Sequence, residues 1–114
     1  MDPRAFLPLT AVVFEILLAL GDDERHGYDV MQDVERRTDG RVVVHPGTLY
    51  RALARLLDQG LIEELDERPD PAADDERRRY YRVTPLGRAV ARAEADRLAS
   101  QVSAARRVFR GGRA

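Results

Sequence analysis

The segment His45–Gly60, with the sequence HPGTLYRALARLLDQG, carries side chains that could hydrogen-bond to a polyanion from one side of a helix. A proline at its start and a glycine at its end are typical of helix boundaries. Thr48, Arg51 and Arg55 would share one face, and arginine forms bidentate hydrogen bonds with phosphate and with guanine. Such a helix fits a DNA major groove, although an ordinary surface helix has the same pattern. The apolar face comprises Leu49, Tyr50, Leu53, Leu56 and Leu57.

The composition indicates one globular domain without a metal or cofactor site. The chain has 114 residues, of which 34% are charged and 44% are hydrophobic. It has no cysteine, and His26 and His45 do not match a metal-ligand spacing, so we expect no metal and no cofactor. The sequence contains no nucleophile elbow, no paired histidine and carboxylate motif and no glycine-rich phosphate loop. We therefore do not expect an enzyme.

The hydropathy pattern predicts a cytoplasmic protein with no membrane partner. No stretch reaches the roughly 18 apolar residues that a membrane span requires. The first residues, MDPRAF, lack the basic region and apolar core of a secretion signal.

The distribution of charge matters more than its sum. The net charge is −1, and all 19 basic residues are arginine. Positive charge is concentrated in residues 41–60 and in the adjoining segments 77–85 and 86–114, and the acidic segment 61–76 separates the first of these from the other two. A chain that is nearly neutral overall can therefore still present a basic face to nucleic acid.

Hydrophobic spacing and turn residues predict the elements that would position the central helix. The order helix, helix, helix, strand, loop, strand, long helix is typical of a winged helix-turn-helix, in which the third helix enters the major groove. We therefore expect a mainly α fold with a small β-hairpin, followed by a long C-terminal helix. The predicted helices are Leu7–Leu20, His26–Thr38, Pro46–Gln59 and Pro85 to about Arg110; the extended segments are Arg41–Val44, Leu61–Glu67 and Arg77–Val83.

The long C-terminal helix is expected to pair two subunits. Its apolar residues follow the 4-3-4-3-4 spacing of a coiled-coil seam. Leu7 and Phe14 would join this interface, because the first helix is apolar on nearly all sides. We accordingly divide the chain into a DNA-binding domain, residues 1–84, and a dimerisation helix, residues 85–114. The alternative is a helix folded back onto its own domain. The seam residues are Ala91, Ala95, Leu98, Val102, Ala105 and Phe109.

Several short motifs together resemble a known family. They are HGY at His26–Tyr28, PGTLYRAL at Pro46–Leu53, GLI at Gly60–Ile62, RYY at Arg79–Tyr81 and TPLG at Thr84–Gly87. Over about residues 10–100 the chain resembles the PadR family of bacterial transcriptional regulators, and its single C-terminal helix is similar to that of the small subfamily. The resemblance implies a homodimeric repressor that binds double-stranded DNA at an inverted-repeat operator and is released by an effector.

The resemblance also implies roles for residues of the central helix. Gly47 would let the backbone approach a phosphate, and Thr48 would reach a phosphate or a base edge. Tyr50 would donate its hydroxyl to the DNA backbone, unless its ring belongs to the core. Arg51 is the candidate for a guanine contact, and Arg55 is the candidate for a phosphate contact.

Four aromatic or imidazole side chains are considered one by one, and His45 is a departure from the family pattern, because a small capping residue would be easier to explain at its position. Tyr28 is interpreted first as core packing and second as a phosphate contact. His45 would meet phosphate if protonated, or would cap the central helix if neutral. Tyr80 and Tyr81 point to opposite sides of a strand, so we expect one in the core and one exposed.

The wing, which is the predicted hairpin of Leu61–Glu67 and Arg77–Val83 with the loop between them, combines basic and acidic residues. Arg77, Arg78 and Arg79 would contact phosphate or a narrow minor groove. The loop before them departs from what DNA binding favours, because phosphate repels its acidic side chains unless the tip points away. Those side chains are Asp70, Asp74, Asp75 and Glu76.

Two questions stay open at the level of sequence. A small aromatic effector could occupy a pocket at the dimer centre, for which we name five lining residues. The near-neutral charge and the acidic wing also leave an alternative function, a winged-helix module for protein–protein interaction without a role on DNA. The lining residues are Leu7, Val13, Phe14, Leu98 and Val102.

Overall fold

The computed structural model describes residues 1–65 and 79–110. Over these residues the fold is mainly helical with a small antiparallel sheet, which confirms the predicted winged helix-turn-helix with a long C-terminal helix. A 3-10 turn at Pro3–Phe6 precedes the first α-helix. The helices are α1 (Ala11–Asp22), α2 (Gly27–Arg37), α3 (Pro46–Asp58) and α4 (Pro85–Val108), and the strands are β1 (Arg25–His26), β2 (Ile62–Glu64) and β3 (Tyr80–Val83).

Helix α1 begins later than the sequence pattern predicted. Its N-cap is Thr10, whose hydroxyl accepts a hydrogen bond from the Val13 amide at 3.1 Å. The predicted start at Leu7 was wrong, because Leu7 has an extended backbone at the end of the 3-10 turn. Leu7 and Leu9 nevertheless pack against the core, which explains their apolar character without a helix.

The sheet contains a strand that the sequence pattern did not indicate. The predicted hairpin forms between β2 and β3, with Ile62 opposite Val83. Strand β1 adds to the other edge of β3, with His26 opposite Tyr80, so the strand order is β1-β3-β2. This pairing ties the start of α2 to the wing.

The predicted extended segment at Arg41–Val44 is a connecting loop instead of a strand. The Thr38 hydroxyl at the end of α2 accepts a hydrogen bond from the Val42 amide at 3.1 Å and donates one to the Val34 carbonyl at 2.8 Å. These two hydrogen bonds turn the chain towards α3 without pairing it to a strand. Val44 is buried, so the β-branched run reflects one core contact rather than strand pairing.

One hydrophobic core joins all four helices and the sheet. Three leucines of α3 are at most 1% exposed, and each contributes about 1.5–3 kcal/mol through burial. They fix which face of α3 points outward. Other core residues include Ile16, Leu17, Leu20, Val30, Val34, Leu61, Ile62, Tyr81 and Val90.

Helix α4 is half packed and half exposed. Gly87, Val90 and Glu94 are buried, whereas almost every residue from Ala99 to Val108 is exposed. The division of the chain at residue 84 stays a prediction, since the first turns of α4 pack on α1 and β3. No helix in residues 1–65 and 79–110 combines the length and the apolar character that a bilayer crossing needs.

A buried carboxylate connects α4 to the segment before α1. Glu94 is 2% exposed and accepts a hydrogen bond from the Leu9 amide at 2.9 Å. Arg97, one turn later, donates to the same carboxylate from Nε at 2.5 Å and from Nη2 at 3.0 Å. The Arg97 hydrogen bond lowers the pKa of Glu94 against the opposing effect of burial, and the Leu9 amide lowers it further.

We expect Gly87→Ala to destabilise the fold strongly. A Cβ at Gly87 would lie 2.0 Å from the Leu61 carbonyl oxygen and 2.6 Å from a methyl carbon of Val83, so backbone would have to move. The loss should exceed about 2 kcal/mol in denaturant unfolding. Gly21→Ala is the matched control, because nothing lies within 4 Å of its new Cβ. Equal unfolding free energies for the two variants would contradict this packing.

We expect Glu94→Gln to cost about 1 kcal/mol at neutral pH, because it weakens the charge-assisted bonds to Leu9 and Arg97. The pKa of Glu94 is lowered by folding, so its contribution is present above the ordinary value of 4.5 and is lost as pH falls through the folded value. The difference between wild type and variant should therefore shrink in unfolding experiments below about pH 4.5. A difference that grows on acidification would contradict the assignment.

Candidate functional site

The candidate residues on α3 are all exposed, because the leucines on the opposite face are fixed in the core. Leu49, Leu53 and Leu56 occupy positions separated by four and three residues, which places them on one side of the helix. The structure therefore brings the predicted α3 set to the surface. That set is His45, Gly47, Thr48, Tyr50, Arg51 and Arg55.

The N-terminus of α3 has no side-chain cap, unlike the other α-helices in the described residues. Side chains of Thr10, His26 and Thr84 cap α1, α2 and α4, respectively. His45 occupies the N-cap position of α3 but makes no capping hydrogen bond, so the capping role suggested for it is not seen. Pro46 has no N–H, and the next two amides begin the helix without a side-chain acceptor. This end of α3 is thus suited to an anion, which the helix dipole also favours.

Arg51 extends back towards the same end of the helix. Its Nη1 atom would lie 3.8 Å from a Cβ at Gly47, so its guanidinium passes beside the first turn of α3. Within residues 1–65 and 79–110, Arg51 and Arg55 form no salt bridge. Two cations without an ion-pair partner among the described residues therefore stand on the exposed face of α3.

Acidic residues of α1 and α2 are neutralised by other arginines. Asp33 is buried, and its carboxylate accepts from Arg36 at 2.6 Å and from Arg37 at 2.7 Å. Arg37 also donates to Glu15 on α1 at 2.9 Å, and Arg25 of β1 lies 3.5 Å from Asp33. Burial acts to raise the pKa of Asp33, but the hydrogen bond and charge of Arg37 outweigh it and lower the pKa. The charges of Glu15 and Asp33 are therefore paired inside the domain.

Tyr50 connects α3 to the start of α2. A Cβ at Gly27 would lie 2.8 Å from the Tyr50 hydroxyl oxygen, so this ring covers the first residue of α2. Tyr50 is 52% exposed, which excludes the alternative in which its ring belongs to the core. Its hydroxyl therefore lies at the surface beside the N-terminus of α2.

Tyr28 lies at the same end of α2, and its interpretation as core packing was wrong. It is 58% exposed, and its ring stacks on His26 with 6.5 Å between centroids. His26 is buried, caps α2 by accepting from the Asp29 amide at 3.3 Å, and meets the Tyr80 ring edge-on at 5.4 Å. The sequence analysis missed this positioning role of His26, which its place just before Gly27 could have indicated. The phosphate contact of Tyr28 stays a prediction.

The described part of the wing is charged but mostly paired. Arg79 is exposed and its Nε lies 3.4 Å from Glu64, and Arg82 donates to Glu63 at 2.6 Å. Tyr81 is buried as expected for one of the two tyrosines, whereas Tyr80 is half-buried because it packs on His26. The predicted contacts of Arg77 and Arg78 lie outside the described residues, as does the acidic loop with Asp70, Asp74, Asp75 and Glu76.

The candidate dimerisation residues differ in how far their own chain covers them. Leu7 and Ala91 pack against the core, and Phe14 and Leu98 are half-buried. Val102, on the second half of α4, is 48% exposed, and Phe109, the C-cap residue that follows the helix, is 78% exposed. Ala95 and Ala105 are also exposed. The role of this set in association stays a prediction.

Comparisons with known proteins agree with one another. The model of the "Transcriptional regulator PadR-like family" matches residues 16–93. Transcriptional regulator Rv3488 of Mycobacterium tuberculosis is 40% identical over 79 residues, which cover 69% of this chain and 67% of the relative. A transcriptional regulator from Clostridium thermocellum aligns with a TM-score of 0.71 at 26% identity, covering 91% of this chain and 90% of that one. A PadR family transcription regulator from Clostridium difficile shares the fold, with a TM-score of 0.73 at 19% identity over 88% of this chain and 99% of that one.

We expect His45→Ser to stabilise the fold, because serine supplies the side-chain acceptor that α3 lacks. The free energy of unfolding should rise by about 0.5–1 kcal/mol in denaturant titrations. His45→Ala is the matched control, since it removes the imidazole without adding an acceptor. If both variants have the same stability, the first turn of α3 does not lack a cap.

Proposed function

The chain belongs to the PadR-like family of transcriptional regulators, and from this premise we propose that it binds DNA sequence-specifically through α3. The observation that supports this most is the exposed end of α3, where an uncapped N-terminus lies beside Arg51, which forms no salt bridge with the part of the chain that the structure describes. Free amides favour phosphate, and a free guanidinium favours guanine or phosphate. The proposal therefore rests on chemistry at one end of one helix.

Each candidate side chain has a distinct task in this proposal. Arg51 contacts a guanine edge in the major groove, and Thr48 with the first-turn amides contacts the adjacent phosphate. Arg55, one turn further along α3, contacts a phosphate. Tyr28 and Tyr50 donate their hydroxyls to a second phosphate. Tyr28 belongs to the first turn of α2, and the ring of Tyr50, from α3, lies beside that turn.

We propose that the DNA-binding form is a homodimer joined through α4. The exposed Val102 on the projecting part of α4, and Phe109 at its C-cap, continue the heptad-like spacing. The 24 residues of α4 extend over about 36 Å. A pair of domains joined by such helices suits half-sites separated by about 34 Å, one turn of duplex. The matching operator is an inverted repeat.

We further propose that the dimer acts in the cytoplasm as a repressor, by occupying its operator and excluding polymerase. A small aromatic effector between the subunits would release it, because the residues named for that pocket are apolar and none is fully buried within one chain. They are Leu7, Val13, Phe14, Leu98 and Val102.

The direct experiment is selection of bound sequences from a pool of random duplexes by the purified full chain. The proposal predicts enrichment of an inverted repeat and an affinity that falls steeply with salt, because arginines release counterions from DNA. Recovery of random sequence at every round would contradict sequence-specific binding and favour the protein–protein alternative.

We expect Arg51→Ala and Arg55→Ala to affect DNA binding differently. Loss of a base contact by Arg51 should cost about 1–3 kcal/mol and relax preference at about one position in each half-site. Loss of a phosphate contact by Arg55 should weaken binding to all sequences alike. It should also reduce the slope of log affinity against log salt concentration by about 1. Arg92→Ala on α4 is the control with the same charge change. An identical effect of all three substitutions in fluorescence anisotropy titrations would contradict these assignments.

A further inference from the structure

Helix α2 is capped by an imidazole, whereas threonine hydroxyls cap α1 and α4. The Nδ1 atom of His26 accepts a hydrogen bond from the Asp29 amide at 3.3 Å. A ring nitrogen that accepts a hydrogen bond carries no proton, so this cap requires an unprotonated Nδ1. A threonine hydroxyl does not titrate in the physiological range, so the cap of α2 depends on pH in a way that the caps of α1 and α4 do not.

The second ring nitrogen fixes the tautomer of His26. Its Nε2 atom lies 3.2 Å from the Asp29 carboxylate. Because Nδ1 accepts, Nε2 carries the ring proton and donates it to this carboxylate. The ring is therefore neutral in this arrangement, and both of its nitrogens are hydrogen-bonded to one residue. His26 is 7% exposed, which leaves little access for water to replace either bond.

Two tyrosine rings enclose the imidazole. Tyr28, from the first turn of α2, stacks on it at 6.5 Å between centroids, with 17° between the ring planes. Tyr80 of β3 meets it edge-on at 5.4 Å and is also the partner of His26 in the sheet register. A displaced His26 ring would therefore disturb both Tyr28 and the contact between α2 and the wing.

The other charged groups beside β1 are engaged elsewhere. Arg25, which precedes His26, lies 3.5 Å from the Asp33 carboxylate. Glu24 lies 3.8 Å from an arginine of β3. Among the described residues, the Asp29 carboxylate is thus the charged group in contact with the ring.

A proton on Nδ1 would replace the cap with a repulsion. The Asp29 amide would point at an N–H group instead of a lone pair, and a cation would stand at the positive end of the α2 dipole. The Asp29 carboxylate attracts this cation, but it is 42% exposed and can follow the ring towards solvent. Protonation therefore favours release of the ring from the first turn of α2.

The tyrosines beside His26 are those assigned to a phosphate. Tyr28 is 58% exposed, and the Tyr50 hydroxyl of α3 lies over Gly27 at the start of α2. Both hydroxyls depend on the position of the first turn of α2, which the His26 cap holds. Because a hydrogen bond weakens steeply when its geometry is lost, a shifted first turn would lose the phosphate.

We propose that His26 is a positioning residue for DNA binding and that its neutral form, with the proton on Nε2, is the DNA-binding form. This inference rests on the proposed function, in which Tyr28 and Tyr50 contact a phosphate. Protonation of Nδ1 releases the first turn of α2 and the Tyr28 ring, so acidification weakens operator binding. By linkage, operator binding disfavours protonation of His26 by the same factor.

The first experiment records the imidazole nitrogen resonances of the isotopically labelled full chain without DNA. The chain has two histidines, so His45→Ala leaves the His26 ring alone in the spectrum. In slightly alkaline buffer we expect the proton on Nε2 and none on Nδ1. As the ring titrates, changes in amide shifts should concentrate at Tyr28 and Asp29. A proton on Nδ1 in alkaline buffer would overturn the tautomer on which the proposal depends.

The second experiment measures the affinity of His45→Ala for a selected duplex, at constant salt, between about pH 8 and about pH 5.5. Removal of His45 matters because an exposed imidazolium at α3 would attract phosphate and strengthen binding in acid. We expect the affinity to fall about tenfold on acidification, an effect of the size that loss of a helix cap produces. A constant or rising affinity would overturn the proposal.

Variants of His26 in the same background separate protonation from a structural role. His26→Ala removes the cap at every pH and should bind about tenfold more weakly throughout. His26→Asn keeps an acceptor at the N-cap and does not titrate, so it should recover most of the affinity that alanine loses, without pH dependence. His26→Thr, which copies the caps of α1 and α4, provides the same test if the asparagine variant does not fold. A pH dependence that persists in the asparagine and threonine variants would overturn the assignment to His26.

The outcomes keep this inference separate from the proposed function. If the unmodified chain binds no selected duplex in alkaline buffer, the proposed function fails, whereas the spectra still decide whether protonation releases the first turn of α2. If the duplex binds and its affinity stays constant while His26 titrates, the proposed function stands and the role of His26 is overturned. A fall in affinity that follows the titration of His26 and disappears in His26→Asn supports both.

Discussion

The burial of three leucines on one side of α3 is the constraint on which the rest of the structure depends. Leu49, Leu53 and Leu56 are at most 1% exposed, and rotating α3 to expose them would cost about 1.5–3 kcal/mol for each side chain. Because a helix has a fixed period, this burial determines that Gly47 and Arg51 point outward. The packing of α3 therefore generates the proposed DNA contacts.

Internal ion pairing explains how a chain with a net charge of −1 can present a basic surface. Asp33 and Glu15 are held by arginines of α2, and the described wing pairs its charges across strands. Arg51 and Arg55 have no such partners among the described residues. Since screened charges act over about 10 Å or less at ordinary salt, DNA near α3 would experience these local cations more than the overall sum. The near-neutral composition is thus a weak argument against DNA binding.

Local sequence signals predicted α3 closely, because Pro46 and Gly60 mark its ends and leucines occupy its inner face. The winged helix order was predicted for the same reason. Strand β1 was missed because its two residues are too few to show a periodicity. Its pairing with β3 depends on residues that are distant in the sequence. Tyr28 was misplaced because apolar spacing cannot distinguish a core ring from one that stacks on a histidine at the surface. The partners that would cover α4 and contact α3 stay predictions, since a single chain shows neither contact.

The most direct test of the account is to map where α3 lies on DNA. The chain has no cysteine, so Thr48→Cys creates a unique attachment point for an iron chelate that cleaves nearby DNA. On a selected duplex, the account predicts two clusters of cleavage centred about 10 base pairs apart, one in each half-site. The same chelate on Ser100→Cys, on the exposed half of α4, should cut at neither cluster. Uniform cleavage from Thr48→Cys, or one pattern shared by both positions, would contradict the placement of α3 in the groove.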